Sequence, residues 1–492
     1  MDMEKYLLLE NCSSAAMSDV PVLETELFRR ELLTAVGGGS HRILAFFALE
    51  EADHSNRLIA VLGAPQEHLI KITSTLVKQQ FESLSAEYSA FSMFEREIAE
   101  TTDLVIKNHP WLKPVRDPDK TEFFKMDGES VHEVAVGPVH AGVIEPGHFR
   151  FQCMGEDVFF LEIALGYQHR GVENLLKGNN SNLAMHLIET AAGDTSAAAA
   201  VNWSHIIESL AVIPLDPGAC RVRAIAMELE RIACHTGDLG ALAGDVAFLP
   251  TASFCGRIRG EYLNMTAEIC GNRFGRGIAV PGGSRFGIEK ARAEKLLKWI
   301  RTTQKELYYA LDLLFESPTV LDRFENTGAV SEGTARRLGL VGPAARACGL
   351  EMDARHDFPS GEYGGNPPLP AKCTGTGDVM ARARIRYEEI RNSHDFLLRE
   401  LENIAGSGVE SSSVEPGDLK ADHIAVSVVE AWRGELCHVA VTGMGGNFRK
   451  VKIVDPSFHN WSGLAEALRG EQISNFPVCN KSFNLSYCGH DL

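Results

Sequence analysis

The sequence predicts an α+β fold, with a small N-terminal α/β domain followed by a mainly α-helical bundle that carries small antiparallel β elements. Three observations lead to this fold class. Two short apolar runs near the N-terminus flank a polar turn, as in a β-hairpin. Three long stretches farther along the chain place apolar residues three and four positions apart, which is typical of helices with one buried face. Three short apolar runs near the end predict a small antiparallel sheet.

The length of 492 residues is more than one compact core usually holds, so two domains are expected. With 45% hydrophobic and 23% charged residues, the composition is that of an ordinary globular protein. Acidic residues outnumber basic ones by 66 to 48, which gives a net charge of −18. This acidity argues against nucleic acid as a partner, because binding a phosphate backbone requires clustered lysine and arginine.

The first domain is predicted to span residues 1–118. Its elements are predicted to be a helix at 22–36, hairpin strands at 43–49 and 58–62, and a helix at about 85–100. The glycine triplet 37–39 should end the first helix, because consecutive glycines disfavour helix. Residues 114–125 are rich in charge and proline, and we therefore expect the domain boundary there.

The second domain is predicted to span residues 126–492. Its elements are predicted to be strands at 133–136 and 149–153, helices covering 222–239, 293–314 and 383–404, and sheet strands at 424–430, 435–441 and 450–454. Asp378 is expected to cap the last helix, since its carboxylate can accept free amide groups of the first turn. Small residues crowd positions 237–244, which predicts a close approach to a neighbouring element.

Composition also bears on the compartment. No stretch approaches the roughly 18–20 apolar residues of a membrane span, and the acidic start lacks the basic-then-apolar pattern of a secretory signal. We expect a cytoplasmic protein that reaches a membrane only through partners.

The 11 cysteines are scattered without a CxxC pair, so most of them are expected to be small buried side chains.

Several segments, in order, resemble one family, the group 4 (membrane-bound, energy-converting) [NiFe]-hydrogenase large subunits together with the quinone-pocket (49 kDa-type) subunit of complex I. The matching segments are GPVH (137–140), EPGHF (145–149), GYQHRGVE (166–173), ELERI (228–232), HTGDLG (235–240), Arg346 to Arg355, 377–393, EAWRGE (430–435) and PSFHNW (456–461). Residues 94–97 (FERE) and the His109-Pro110 pair are similar to the 30 kDa-type subunit of complex I, which group 4 hydrogenases often carry fused in front.

The resemblance implies four thiolates for a nickel–iron centre, because soft anionic sulfur holds nickel and bridges it to iron. In the family they come from two CxxC motifs. The positions that match them are Ala192 and Thr195 in the first motif and Ser486 and Gly489 in the second. None of these residues supplies a thiolate, so no metal is expected here, and the chain resembles the energy-converting hydrogenase-related proteins that lack these cysteines. The quinone-pocket tyrosine of complex I matches Gly193.

Three residues are candidates for the pocket that the resemblance implies. His140 could protonate a reduced quinone, or be a turn residue bonded to the backbone. Arg433 lies in the loop that overhangs the metal in the family; it could bind an anionic or carbonyl group, or form a structural salt bridge. Asp194 is a proton carrier if it is buried in that cavity, and otherwise a solvated carboxylate at a helix end. Cys488 and His490 form a Cys-x-His pair whose spacing fits no zinc pattern.

The function implied is a subunit of a complex I-like oxidoreductase that couples electron transfer, to a quinone for example, to ion translocation. Its implied partners are a small iron–sulfur protein, which carries the cluster, and a membrane subunit, placing the chain on the inner face of the cell membrane. No glycine-rich dinucleotide fingerprint occurs, so this chain is not expected to bind NAD itself. Two alternatives stay open: a working group 4 hydrogenase subunit, and a non-catalytic scaffold of the complex.

Overall fold

The computed structural model describes residues 5–140, 144–178, 182–372 and 374–492. The N-terminal elements are β1 (Leu7–Leu9), β2 (Ser13–Ala16), β3 (Val22–Leu23), α1 (Thr25–Gly37), β4 (Arg42–Glu50), β5 (Asn56–Ala64), β6 (Leu69–Val77), β7 (Gln80–Glu82), α2 (Ser92–Thr101) and β8 (Val105–Lys107). The elements that follow are β9 (Val131–Val136), β10 (His148–Met154), β11 (Asp157–Ala164), α3 (Val172–Leu175), α4 (Asn182–Glu189), α5 (Ser196–Ala211), α6 (Pro217–Asp245), α7 (Leu249–Cys270), β12 (Ala279–Val280), β13 (Gly283–Ser284), α8 (Lys290–Glu316), α9 (Pro318–Phe324), α10 (Glu332–Leu338), α11 (Gly342–Ala347), α12 (Ala354–Asp357), α13 (Val379–Ser407), β14 (His423–Ala431), β15 (Gly434–Thr442), β16 (Phe448–Val454), α14 (Pro456–Ala467), α15 (Phe476–Phe483) and α16 (Tyr487–His490).

The N-terminal sheet has the strand order β1-β6-β5-β4, with β3 parallel to β6. The hairpin prediction is confirmed, since β4 and β5 pair antiparallel. The predicted helix at 22–36 begins later, at Thr25, because the two residues of β3 extend beside β6 and the Glu24 carboxylate caps the helix by accepting from two amides. The predicted helix at 85–100 likewise begins at Ser92, after a 3₁₀ turn.

The C-terminal sheet carries a strand from the other end of the chain. The three predicted strands form β16-β15-β14, as expected, and β2 then pairs antiparallel with β14. The sheet formed by β9 and β10 contains a third strand, β11, that the sequence analysis did not predict. The N-terminal core includes residues of the C-terminal sheet, such as Ile424 and Val439. The domain boundary stays a prediction.

Five helices, α5, α6, α7, α8 and α13, pack into the bundle that forms most of the larger core. A side chain at Gly240 would place its Cβ 2.6 Å from the Cβ of Cys255, which confirms that the small residues let α6 and α7 approach closely. The Asp378 carboxylate accepts from the amide of Ala381 at 2.8 Å, as predicted for the cap of α13. The helical bundle with its small antiparallel sheets confirms the α+β class.

Candidate functional site

Two segments meet at the site, and each contains two of the four positions that match the metal-binding motifs. The first is the connection 190–195 between α4 and α5. Arg170 holds it from outside, donating to the carbonyl oxygens of Thr190 at 3.0 Å and Ala191 at 2.8 Å. The arginine of the GYQHRGVE segment therefore positions the backbone immediately before Ala192.

The second segment runs from residue 484 through α16 to the C-terminus. The Asp491 carboxylate fixes its end by accepting from the amides of Gly166 and Gln168 at 2.9 Å. The Ser486 hydroxyl caps α16 by accepting from the Gly489 amide at 2.9 Å, and the Ser486 amide donates to the Ser457 hydroxyl at 2.8 Å. The hydroxyl at the third motif position is therefore already used as a helix cap.

Arg433 reaches these segments from the tight turn between β14 and β15. Arg231 of α6 holds that turn, donating to the carbonyl oxygens of Glu430 at 2.6 Å and Ala431 at 3.1 Å. Gly434, at φ 132°, lies against Gly342, where an added Cβ would come within 2.7 Å of the Gly342 Cα. The close packing of this turn leaves the Arg433 side chain to project toward the two segments.

An ion pair between Arg433 and Asp194 joins the two segments. The Arg433 Nη1 and Nη2 atoms donate to Asp194 Oδ1 at 2.7 Å and Oδ2 at 2.8 Å, and its Nε donates to the Asn484 carbonyl oxygen at 2.6 Å. The guanidinium also lies 3.9 Å from the centre of the Trp432 ring, whose Nε1 donates to the Asp194 carbonyl oxygen at 2.9 Å. One arginine thus connects the first segment, the second segment and the hairpin turn.

The ion pair keeps both partners charged. Burial alone would raise the pKa of Asp194, but the guanidinium outweighs this effect and holds the pKa below its usual range. Burial would lower the pKa of Arg433, and Asp194 instead raises it. Asp194 is therefore a paired carboxylate with 37% of its side chain exposed, and Arg433 is a nearly buried cation with 6% exposed. This geometry matches the salt-bridge alternative for Arg433.

The four motif positions do not fit a nickel–iron centre. Ala192 has no donor atom, and the Thr195 hydroxyl lies 3.5 Å from Arg433 Nη1 and donates to Asp194 at 3.3 Å. A Cβ added at Gly489 would lie 2.7 Å from the carboxyl carbon of the buried Asp455. Even a cysteine restored at that position would therefore require Asp455 to move. Hard hydroxyl groups do not replace thiolates for nickel.

His140 lies beside Tyr487 of the C-terminal segment. Its Nδ1 is 3.2 Å from the Pro138 carbonyl oxygen and its Nε2 is 3.5 Å from the Tyr487 hydroxyl. Its ring packs against Phe149 with the ring centres 5.5 Å apart. Within the residues described, the contacts of His140 go to Tyr487 and not to the Asp194–Arg433 pair. The structure therefore brings two of the three predicted residues together and places the third next to the second motif.

Another polar group at this place lies in a matching segment but was not predicted as a site residue. Glu230 of α6 accepts from the amides of Ala197 at 2.7 Å and Ala198 at 3.3 Å, at the start of α5. Burial raises the pKa of Glu230 to about 8, with a further contribution from Asp194. A cavity of about 10 Å³, room for about one water molecule, lies between Asp194, Glu230 and Cys234.

Cys488 is a second feature that the sequence analysis did not assign to the site. Its thiol lies 3.4 Å from the Ser486 hydroxyl and its amide donates to Glu145 at 3.2 Å. Burial raises the pKa of this thiol to about 11. The His490 ring faces the carboxylate of Asp491 at 2.8 Å. Among the described residues, no group of three or more histidine, cysteine, aspartate or glutamate side chains is arranged to hold a metal ion.

Comparisons with known proteins give consistent matches. Residues 245–415 match the family model of the 49 kDa subunit of respiratory-chain NADH dehydrogenase. The chain is 27% identical over 376 residues to formate hydrogenlyase subunit 5 of Escherichia coli K12, covering 76% of this chain but only 65% of that relative. It is 28% identical to the membrane-bound hydrogenase subunit alpha of Pyrococcus furiosus, covering 72% of this chain and 85% of the relative.

Two further matches extend the comparison. An NADH-quinone oxidoreductase subunit of Bacillus mycoides is 26% identical over 344 residues, which is 69% of this chain and 93% of that relative. A chain of the membrane-bound sulfane sulfur reductase, an archaeal respiratory membrane complex, superposes with a TM-score of 0.68 at 20% identity, over 75% of this chain and 100% of that chain. The superposition supports the fold.

Of the helices in the described ranges, none combines the length and the apolar character needed to cross a bilayer.

Proposed function

We propose that this chain, whose residues 245–415 match the family model of the 49 kDa subunit of respiratory-chain NADH dehydrogenase, is a subunit of a membrane-associated, complex I-like oxidoreductase that works without a nickel–iron centre. In this proposal the chain lies on the cytoplasmic face of the membrane. It packs on a small iron–sulfur protein and on a membrane subunit, and electron transfer near this interface drives ion translocation. Relatives named as hydrogenase and quinone oxidoreductase subunits support the assignment.

The observation that carries the proposal is the chemistry of the two segments at the site. They stay adjacent, as a shared site requires, while an arginine–carboxylate pair links them and their four motif positions offer no thiolate. Hydrogen chemistry at nickel is therefore not part of the proposal. Of the three candidate residues, only His140 lies outside the ion pair. It is half-buried beside the Tyr487 hydroxyl.

We assign the electron acceptor to the quinone class, with His140 as the proton donor. A quinone takes up two protons on reduction, and imidazole exchanges protons near neutral pH. The buried rings of Phe149 and Tyr487 pack against His140 and give its imidazole an apolar side. The iron–sulfur cluster that supplies electrons belongs to the partner protein in this proposal, and no step is assigned to a cofactor held by this chain.

Quinone reduction by the purified complex tests this assignment. A reduced viologen dye serves as the electron donor and a short-chain quinone as the acceptor. We expect His140→Gln to lower kcat at least about a hundredfold, the lower end of the range for loss of general acid–base catalysis. His132→Gln is the matched control, because His132 is an exposed histidine on β9. Equal rates for His140→Gln and the unaltered complex would remove His140 from the mechanism, and no quinone reduction by the unaltered complex would refute the quinone class.

A non-catalytic scaffold is the second candidate, and the Asp194–Arg433 pair favours it. A salt bridge between the two segments occupies the donors that would otherwise face a ligand. In the scaffold role the chain would hold its partners together without carrying electrons. Both candidate functions require the same partners, and purification of the tagged chain from membranes tests this requirement. An iron–sulfur protein and a membrane subunit should be recovered with the chain. Recovery of the chain alone would contradict both.

A further inference from the structure

A cysteine, a histidine and a glutamate form a hydrogen-bonded row at the junction between the N-terminal segment and α5. The Cys12 sulfur lies 3.3 Å from His205 Nδ1, and His205 Nε2 lies 2.6 Å from Glu362 Oε1. This row lies outside the site described above. We propose that Cys12 is a nucleophilic thiolate, activated by His205 and oriented through Glu362, that peroxides oxidise to a sulfenic acid. Nucleophile, base and orienting carboxylate are the parts that such chemistry requires.

The backbone around Cys12 is held in a fixed and uncommon conformation. Cys12 has φ 59°, in the left-handed region, at the turn between β1 and β2. The Asn11 amide group secures the turn: its nitrogen donates to the carbonyl oxygens of Phe358 and Val428 at 2.8 and 2.9 Å. Its oxygen accepts from the amides of Cys12 and Val428 at 2.9 Å. Four hydrogen bonds from one side chain thus fix where the sulfur points.

The carboxylate of Glu362 determines how the His205 ring is used. Glu362 also accepts from Arg223 Nη1 at 3.2 Å. Burial alone would raise the pKa of this carboxyl, but His205 and Arg223 outweigh it and hold the pKa well below its usual range, so Glu362 is ionised and accepts from His205 Nε2. The other ring nitrogen then faces the Cys12 sulfur and the Ser427 hydroxyl, which lies 3.0 Å from Nδ1 and 3.6 Å from the sulfur. Burial opposes charge on the ring, but Cys12 and Glu362 outweigh it and raise the pKa of His205 well above its usual range.

The surrounding charges are consistent with an imidazolium beside the sulfur. From α6, Arg223 pairs with both Glu362 and Glu208, which spreads its charge over two carboxylates. From β15, His438 adds no positive charge near neutral pH, because burial and then His205 lower its pKa to about 3. A cation adjacent to a cysteine stabilises the thiolate form, which is the form that attacks electrophiles.

Exposure separates Cys12 from the other cysteines. Among the cysteines that the structure describes, Cys12 is partly exposed while the remaining nine are buried. Burial makes several of those thiols harder to ionise, and the pKa of Cys220 and of Cys479 is raised to about 12. Reactive cysteines lie in electropositive, partly exposed surroundings, whereas buried ones are inert. Cys12 combines access with a cationic neighbour.

The proposed oxidation requires only the Cys12 thiolate, the His205 imidazolium and hydrogen peroxide. The Cys12 thiolate attacks one oxygen of hydrogen peroxide, a sulfur–oxygen bond forms, and the oxygen–oxygen bond breaks. The departing hydroxide takes the proton of the His205 imidazolium and leaves as water. Sulfur loses two electrons and peroxide gains them, so the products are a sulfenic acid, neutral His205 and water. Hydrogen peroxide is the only added reactant.

Site-resolved alkylation of the full chain tests whether Cys12 is such a nucleophile. Iodoacetamide rates at each cysteine are measured by peptide mass spectrometry between pH 6 and 8, with glutathione in the same tube as the reference thiol. A thiol with the usual pKa of about 8.5 slows about 80-fold from pH 8 to pH 6, since only its thiolate reacts. We expect the rate at Cys12 to fall less steeply than that of glutathione and to exceed the rate at every buried cysteine. A decline at Cys12 as steep as that of glutathione would overturn the proposal.

Peroxide treatment tests the product. After hydrogen peroxide, a dimedone probe should label the Cys12 peptide, and Cys12→Ser should abolish that label. His205→Asn should slow alkylation of Cys12 at pH 6 at least about tenfold, whereas His132→Asn, at an exposed position, should not. Circular dichroism checks that the His205 variant is folded. If that variant does not fold, the pH dependence of Cys12 alkylation in the unaltered chain tests the proposal instead. Absence of dimedone label on Cys12 would contradict peroxide as the oxidant.

Discussion

Replacing Asp194 by asparagine removes one charge of the ion pair that joins the two segments of the site, and replacing Arg433 by methionine removes the other. Each change leaves a similar volume but removes the charge pairing behind the two short bonds between the guanidinium and the carboxylate, of 2.7 and 2.8 Å. The asparagine oxygen can keep one of these two bonds as a neutral acceptor. Together the two variants and the double variant form a thermodynamic cycle that isolates the contribution of the pair.

The structure sets the expected magnitudes. Losing one partner of a fully buried pair costs about 3–5 kcal/mol, but 37% of the Asp194 side chain is exposed, so we expect about 2 kcal/mol for Asp194→Asn. Arg433→Met also loses the bond to the Asn484 carbonyl and the contact with Trp432, and should cost about 3 kcal/mol. The double variant should cost about 1–2 kcal/mol less than the sum.

Urea unfolding, followed by tryptophan fluorescence, measures all four free energies of unfolding. Trp432 lies on the guanidinium and therefore reports on the pair directly. The slope of free energy against urea must be equal among the variants for the comparison to hold. Additivity of the two single changes within about 0.3 kcal/mol would refute the view that this ion pair holds the segments together.

Three further predictions follow from buried groups. Glu389→Ala should lower the free energy of unfolding by about 3–5 kcal/mol in urea titrations, because the buried cations Arg346 and Arg231 would each lose a carboxylate partner; a loss below about 1 kcal/mol would contradict this. Burial raises the pKa of Glu230 to about 8, so the folded chain keeps a proton that the unfolded chain releases above about pH 5, and stability falls as the pH rises to 8. Glu230→Gln should therefore remove up to about 1.4 kcal/mol per pH unit of that fall, and parallel pH curves would contradict it. Gly489→Cys should raise the urea sensitivity of the chain without binding nickel, because its Cβ meets Asp455; a variant as stable as the unaltered chain would show that the segment has room.

Local patterns in the sequence predicted most of the fold. Helices α6, α8 and α13 follow from apolar residues at three- and four-residue spacing, and the Asp378 cap follows from its place before one of them. The predicted start of α1 was wrong because Val22–Leu23 gain hydrogen bonds from β6, about fifty residues away. The pairing of β2 with β14 joins opposite ends of the chain and has no local signal.

The site was predictable only in part. The resemblance selected Asp194 and Arg433, but their pairing depends on a hairpin turn that Arg231 holds from another helix. The clash between position 489 and Asp455 requires coordinates as well. Cys12 and His205 are 193 residues apart and belong to no recognised motif, so only the fold brings them together.

The central claim is that this chain works without a nickel–iron centre. Metal analysis of the purified complex, counting nickel and iron per copy of this chain, tests it most directly. We expect no nickel, with all iron accounted for by the clusters of partner subunits, because Ala192, Thr195, Ser486 and Gly489 offer no thiolate. One nickel per chain would contradict the account and restore the hydrogenase interpretation.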